Sequence, residues 1–338
     1  MKPRSLSYKE AGVDVAAGEA FVERIRSAVE STRTSSVLGA VGGFGGLFAP
    51  DLRNMERPVL VSSADGVGTK LKLAFATGSH ASVGGDLVRH CVNDISVLGA
   101  RPLFFLDYLA TGRLSAEVMA KLVEGMAAAC REEDMALLGG ETAEMPGFYA
   151  DGEYDCAGFI VGVVDEPAIL DGKEIRPGDR LRGFASAGLH TNGYSLARRI
   201  VDETPELALD ARPAELGGLS VGEALLEPHL SYSGEIRALL DDPAVHVKGF
   251  AHVTGGGIGG NLKRILPKNV TARVRAGSWP ETPIFDVLRR AGNVPEDDMR
   301  SAFNLGIGLV AVIDGDFAAG HDIGEIVPGD GTVHWVED

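Results

Sequence analysis

Three acids raise the question of chemistry. Asp65 ends the apolar run PVLVSSA (58–64) and opens DGVGTK (65–70), Glu141 follows MALLGG (135–140), and Asp94 lies between them in a segment of helical periodicity, 83–98. In open α/β layers the loops at strand C-termini form the ligand crevice, so acids at two strand ends and on an intervening helix could converge. Magnesium takes one or two carboxylates and completes its shell with phosphate oxygens and water. Asp65, Asp94 and Glu141 together therefore read as a metal site for phosphate chemistry, with Lys70 balancing phosphate charge. Each acid alone reads also as a cap or a solvated turn.

The glycine motifs narrow that chemistry. DGVGTK is not a P-loop, because that motif places Ser or Thr after the lysine and here Thr69 precedes Lys70. GGGIGG (255–260) meets the GxGxxG spacing after a strand, but a run so rich in glycine meets it by composition. The acid expected at the end of the next strand is missing, since Glu281 follows Trp279 and Pro280 instead. An anion-binding helix N-terminus or a tight turn is the simpler reading. Glycine is in excess at 45 residues, gathered in GAVGGFGGLF (39–48), DGVGTK, GGETAEMPG (139–147), GLHTNGYS (188–195) and TGGGIGG (254–260). Set between well-patterned segments, these clusters read as loops where backbone approaches a ligand closely.

Regular elements must hold those loops. Phe21, Ile25, Ala28 and Val29 predict an amphipathic helix over 18–32. Over 83–98, Leu87, Cys91, Ile95 and Leu98 fall on one side of a helix, and Asp86, His90, Asn93 and Asp94 fall in a narrow arc on the other, either solvated or functional. PLFFLDYLA (102–110) reads as a buried strand, Ser115 as the N-cap of a helix through Cys130, and YDCAGFIVGVV (154–164) as another strand. The segment 165–180, DEPAILDGKEIRPGDR, is rich in charge, Pro and Gly and is the candidate junction between units 1–170 and 171–338. Beyond it the pattern restarts: strands at 181–187, 245–253, 270–275 and 306–313, and helices at 194–203, 231–241 and 282–291, with a further helix, NLKRIL, after TGGGIGG. No repeat of the length that builds solenoids is present.

Composition sets the outer limits. A chain of 338 residues exceeds one compact domain, and two mixed α and β domains are expected. The formal net charge of −16 argues against sequence-independent duplex binding, which rests on a basic face, but leaves room for a small anionic substrate. No long apolar run and no export signal is evident, so a soluble protein without membrane partners is expected. Cys91, Cys130 and Cys156 are odd in number and lack CxxC pairing, which fits a reducing cytoplasm better than a disulfide framework.

LSYKEAGVD (6–14), GGFGGLF (42–48), DGVGTKLKLA, DLVRHCVNDI (86–95), FFLDYLATG (104–112), GGETAEMPG, DCAGFIVGVV, GLHTNGYSL (188–196), AHVTGGG (251–257) and FNLGIGL (303–309) run in chain order from Leu6 to Leu309. Together they resemble the phosphoribosylformylglycinamidine cyclo-ligase family, also called aminoimidazole ribonucleotide synthetases. GGETAEMPG with GLHTNGYSL is specific, whereas DGVGTK marks a wider superfamily that includes selenophosphate synthetase and thiamine monophosphate kinase. The first of these resembles an enzyme using a thiol near the glycine flap, and this chain has no Cys before Cys91; the second lacks GLHTNGYSL. A non-catalytic nucleotide-binding protein would keep the glycines and lose the acids.

The resemblance implies a mixed α+β and α/β two-domain synthetase fold, with the N-terminal sheets of a homodimer pairing into a β-barrel and a C-terminal α/β domain closing over a phosphoribosyl substrate. It implies ATP and magnesium as cofactors and leaves potassium open. By matching motif, Asp65, Asp94 and Glu141 would hold the metal. Gly66, Gly68, Thr69 and Lys70 would meet the phosphates, and Gly43, Gly45 and Gly46 would belong to a flap over the nucleotide. His190, Thr191 and Asn192, with Thr254, Gly255, Gly256 and Gly257, would bind the substrate, and Lys70, Asp94 and His190 are the candidates for catalysis. The chain departs from the family's pattern at EPHLSY (227–232), where EPTRIY is expected, at Ser301 and Ala302, where an Arg-Thr pair is usual, and in a tail too short after Ile313 for a full helix. All three departures lie in the C-terminal half, toward the substrate.

Overall fold

The helix at 83–98 is the element on which the rest of the site depends, and glycine lets it sit deep in the protein. A Cβ on Gly84 would lie 2.1 Å from the Leu122 carbonyl oxygen, and one on Gly125 would lie 1.9 Å from that of Ala81, so two helices approach to backbone contact. Its apolar side (Leu87, Val88, Cys91, Ile95) enters the N-terminal core. The computed structural model describes residues 7–40, 42–315 and 317–337. Leu6, Val41 and Asp316, which fall within segments named above, lie outside them.

The N-terminal half contains α1 (Val15–Glu30), β1 (Pro58–Gly66), α2 (Leu71–Thr77), α3 (His80–Ser96), β2 (Arg101–Thr111), α4 (Ala116–Glu132), β3 (Ala136–Glu144) and β4 (Tyr154–Asp165). Its four-stranded sheet has the order β1-β4-β2-β3. β4, last in sequence, inserts antiparallel between β1 and β2, and β2 pairs with β3 in parallel. Helix α3 packs on one face of this sheet. On the opposite face Leu60 is 67% and Phe159 43% exposed, an apolar patch of which Phe159 also lines a cleft shared with α1.

The C-terminal half contains β5 (Arg180–Ala185), α5 (Tyr194–Glu203), α6 (Val221–Leu225), α7 (Ser233–Asp241), β6 (Val245–His252), α8 (Gly257–Leu262), β7 (Val270–Arg275), α9 (Pro283–Ala291), α10 (Glu296–Ala302), β8 (Ile307–Gly315), β9 (His321–Pro328) and β10 (Val333–Val336). These strands form a six-stranded mixed sheet of order β10-β7-β9-β5-β8-β6. β8 is buried along Ile307–Ile313, as its unbroken apolar run requires. Both sheets are mixed, so neither half is the open parallel layer that the strand-end argument assumed. The helix expected at NLKRIL instead begins inside the glycines at Gly257, after Gly256 takes a left-handed φ of 96°, and tightens into a 3-10 turn over Lys263–Ile265. The three cysteines are buried and free.

Candidate functional site

The polar arc of α3 is not solvated. It forms the seam between the two halves, and each of its four side chains has a defined partner across or beside that seam. Asp86 accepts the backbone N–H of His229 at 2.7 Å and pairs with Lys70 at 2.6 Å, both side chains being fully buried. Asn93 donates to the Leu230 carbonyl and accepts the Tyr232 N–H, each at 2.8 Å. His90 places one ring nitrogen 2.7 Å from Asp65 and the other 2.6 Å from the Thr191 hydroxyl. Asp94 accepts from Ser63 of β1 and contacts the His252 ring, both at 2.9 Å.

Charge in this seam is balanced locally. Burial opposes ionisation of Asp65, but the hydrogen bond and charge of His90 outweigh it and hold the carboxyl below its usual range. Burial likewise opposes the Asp94 charge, and His252, His90 and Ser63 overcome it. For His90, burial favours the neutral ring, yet the hydrogen bond to Asp65 and the charges of Asp94, Asp65 and Asp86 raise its pKa. His190 and His229 are pushed well below the ordinary histidine value, first by burial and then by the neighbouring histidines, with Lys70 adding to the effect on His190. Asp65 and Asp94 are thus carboxylates at neutral pH, partly open to solvent with side-chain exposures of 45% and 25%.

The structure brings most of the expected residues to this seam. Thr191 reaches His90, Asn192 donates to Thr191 at 3.3 Å, and a Cβ on Gly255 would lie 3.5 Å from the Asn192 oxygen, so the loops 190–192 and 254–257 adjoin. Thr254 donates to Asn261 at 3.1 Å, while the Gly256 and Gly257 N–H groups are used within the protein by Ser301 and Thr254 carbonyls. Gly68 takes a positive φ of 56° at the turn after β1, and the Thr69 hydroxyl lies 3.2 Å from that of Ser195 on α5. The Gly66 N–H is engaged by the Asp65 carboxylate at 2.6 Å.

Three expectations need correction. Lys70 does not face a phosphate pocket: its ammonium is buried and spends its three donors on Asp86, the His190 carbonyl at 2.9 Å and the Glu227 carbonyl at 3.1 Å. His190 is fully buried, in a left-handed conformation with φ 61°; its carbonyl oxygen holds Lys70 and Tyr194, and its ring accepts the Ala187 N–H at 3.3 Å and stacks on His229, so it supports the loop from behind. Glu141 does not join Asp65 and Asp94. Register sets Asp65 opposite Gly158, Gly158 opposite Asp107 and Asp107 opposite Gly140, so three strand spacings, about 14 Å, separate the acids. No single ion spans that gap. Glu141 instead lines a cleft of about 860 Å³ at the β3 edge together with Gly43, Gly45 and Gly46. Those glycines cap a ribbon closed by the Val37–Phe48 bridge, and a Cβ on Gly46 would lie 2.4 Å from Leu138.

Sequence reading placed His90 in the polar arc of α3 without assigning it a role, and it did not single out His229 or His252. Four of the chain's eight histidines (His90, His190, His229 and His252) gather at the seam, with ring centroids 4.1 to 5.4 Å apart for neighbouring pairs. The available signals were the His within the α3 arc, the His two residues before TGGG, and the departure at EPHLSY.

Known proteins place this architecture. Residues 52–164 match the family described as AIR synthase related protein, N-terminal domain, and residues 176–334 match its C-terminal domain. Among solved structures, thiamine-monophosphate kinase from Stenotrophomonas maltophilia superposes with a TM-score of 0.66 at 21% identity, covering 94% of this chain and 95% of that one. An E. coli hydrogenase maturation protein superposes at 0.65 with 16% identity, over 94% and 93% of the two chains. At such identities these neighbours establish the fold alone. Closer in sequence, a phosphoribosylformylglycinamidine cyclo-ligase of Anaeromyxobacter sp. (strain Fw109-5) is 54% identical over 94% of this chain and 91% of its own. One from Myxococcus xanthus is 55% identical over 91% and 88%. The chain belongs to the phosphoribosylformylglycinamidine cyclo-ligase family.

Proposed function

We propose that this enzyme carries out the ring closure for which its relatives are named: ATP-dependent conversion of formylglycinamidine ribonucleotide to aminoimidazole ribonucleotide, with release of ADP and phosphate, in purine biosynthesis. The observation that carries this reading at the level of residues is the meeting of two carboxylates with two loops at one seam. Asp94 contacts His252, which leads directly into Thr254, and His90 ties Asp65 to Thr191. A phosphoryl donor bound at the acids and a ribonucleotide bound at the loops would lie side by side.

The chemistry explains why such a seam is useful. An amide oxygen is a poor leaving group, so it must be converted to phosphate while the attacking ribosylated nitrogen is held close to the formyl carbon. Asp65 and Asp94 fit magnesium by donor type: they are ionised, partly open, and have carboxylate oxygens within 4.8 Å of each other and of a His90 nitrogen. Bound there, magnesium would neutralise charge on the triphosphate. Gly68 and Thr69 offer the turn beside those acids to phosphate, and Thr191, Asn192 and the segment Thr254–Gly257 orient the ribonucleotide. Lys70 and His190 act from behind by holding the loop at 190–192. Gly43, Gly45, Gly46 and Glu141 line the cleft at the β3 edge and are assigned to the nucleoside end of ATP.

We assign the exposed sheet face carrying Leu60 to a homodimer contact, as the family resemblance implies. Purified protein incubated with ATP, magnesium and formylglycinamidine ribonucleotide should form aminoimidazole ribonucleotide and ADP in equal amounts. ATP hydrolysis without the imidazole product, or no reaction, would overturn the assignment.

A further inference from the structure

Three histidines at the seam have a geometry that phosphoryl transfer does not explain. His90 comes from α3, His252 from the end of β6 and His229 from the loop before α7, so the trio spans both halves of the chain. Their ring centroids form a nearly equilateral triangle with sides of 5.3, 5.0 and 5.4 Å, and the rings meet edge to face at 72°, 66° and 61°. All three are at least nine-tenths buried, with exposures of 3%, 1% and 6% for His90, His229 and His252. The Nε2 atoms of His229 and His252 are buried without a hydrogen-bond partner. A neutral imidazole nitrogen left unpaired in the interior loses its hydration with no return, so two of them directed into one cluster require a reason.

The far sides of the rings supply one. His229 uses Nδ1 on the Leu230 carbonyl oxygen at 2.9 Å, and His252 uses Nδ1 on the Asp94 carboxylate at 2.9 Å. Each ring is thereby held in the tautomer that leaves a lone pair on Nε2. A carbonyl or carboxylate on the distal nitrogen is the arrangement that orients and strengthens metal-binding histidines. One nitrogen from each of His90, His229 and His252 lies within 4.8 Å of the others, against about 3.4 Å for nitrogens around a tetrahedral zinc, so modest closure completes a site. His90 gives up one of its two contacts, to Asp65 or to Thr191, and keeps the other as its outer partner.

We propose that His90, His229 and His252 form a buried three-nitrogen site for a borderline divalent transition-metal cation of the zinc class, pinning the two halves of the chain together. An all-imidazole set favours zinc or cobalt over magnesium, which selects oxygen. This site adjoins the carboxylate pair assigned to magnesium: Asp94 borders both and His90 belongs to both clusters, while His229 and His252 supply the donors that the carboxylate site lacks.

Cobalt is the probe. Full-length protein is stripped with a chelator and titrated with Co²⁺ in the presence of excess Mg²⁺, following visible absorption and bound metal. The expected result is one equivalent taken up with the intense absorption of four-coordinate cobalt, displaced by Zn²⁺, with a raised melting temperature. His229→Thr and His229→Gln should both weaken binding by about 100-fold or more, since loss of even an outer partner costs 10- to 100-fold. Their metal-free melting temperatures confirm that each is folded. Absence of uptake by the parent protein would overturn the proposal. So would the pale absorption of six-coordinate cobalt, competed by Mg²⁺ and unchanged in both variants, because that places the ion at Asp65 and Asp94. Metal uptake is read without turnover, so failure of the ring-closure assignment leaves this test intact.

Discussion

Replacing Lys70 by Met separates the seam account from the expectation that this lysine contacts ATP. Met keeps most of the stem's volume and removes the ammonium. Asp86, fully buried, would then retain only the His229 N–H, and the His190 and Glu227 carbonyls would lose their donor. Breaking one side of a buried ion pair costs about 3–5 kcal/mol because the remaining charge is stranded. For a domain of this size about 3 °C of melting temperature corresponds to each kcal/mol, so Lys70→Met should melt about 9–15 °C lower. A double-mutant cycle with Asp86→Leu sharpens the test: the double variant should lose less than the sum of the single losses, with a coupling of about 2 kcal/mol. Calorimetry or urea denaturation reads both quantities. A melting temperature within 2 °C of the parent, combined with a large rise in the Michaelis constant for ATP, would show that the ammonium works on phosphate and refute the buried arrangement.

Other consequences follow from the same geometry. Asp65→Asn should lower magnesium-dependent turnover by about 100-fold with little change in melting temperature, since its side chain is nearly half exposed; unchanged turnover would remove it from the metal site. His190 and His229 are held neutral in the fold, so the unfolded chain binds more protons below about pH 6.5, and stability should fall on acidification by about 1.4 kcal/mol per pH unit for each. Urea titrations at several pH values check this, and a flat profile between pH 5 and 6.5 would contradict it. Burial, reinforced by the Glu141 charge, pushes the Asp107 carboxyl up to about 7, so its contribution has the opposite sign. Stability is lost as pH rises from about 4 to 7, and Asp107→Asn should recover up to about 4 kcal/mol at pH 8. Leu60→Glu places a charge on the exposed sheet face, away from the residues that line the β3-edge cleft, and should leave the protein monomeric by light scattering where the parent is a dimer; an unchanged mass would move the contact elsewhere.

Much of the architecture was legible because it is written in local periodicity. The strand ending at Asp65, the helix bearing Asp94 and the glycine loops at 188–195 and 254–260 all emerged from spacing alone. The arc of Asp86, His90, Asn93 and Asp94 was visible too, but nothing local distinguishes a helix face bathed in water from one buried against another domain. Strand order was not legible. β4 follows β3 in sequence yet inserts between β1 and β2, and that insertion moves Glu141 three strands from Asp65. Lys70 looked like a phosphate ligand because it follows glycines and a threonine; its burial depends on Asp86 and on two carbonyls more than 100 residues away. Strand β10 escaped because VHWV is only four residues long, and helix α10 because its apolar residues are sparse: in EDDMRSA three acids in the first turn outweigh the single buried Met299. The histidine cluster was hidden for a related reason: its members come from three segments, and no spacing rule joins positions 90, 229 and 252.

The most direct test of the central claim follows the oxygen atom that must leave. Formylglycinamidine ribonucleotide carrying a heavy-oxygen label in its formyl group is converted with ATP and magnesium, and the released phosphate is analysed by mass spectrometry. The account predicts one labelled oxygen in every phosphate formed, in step with the imidazole product, and loss of that signal in Asp94→Asn. Unlabelled phosphate from the parent enzyme would contradict it.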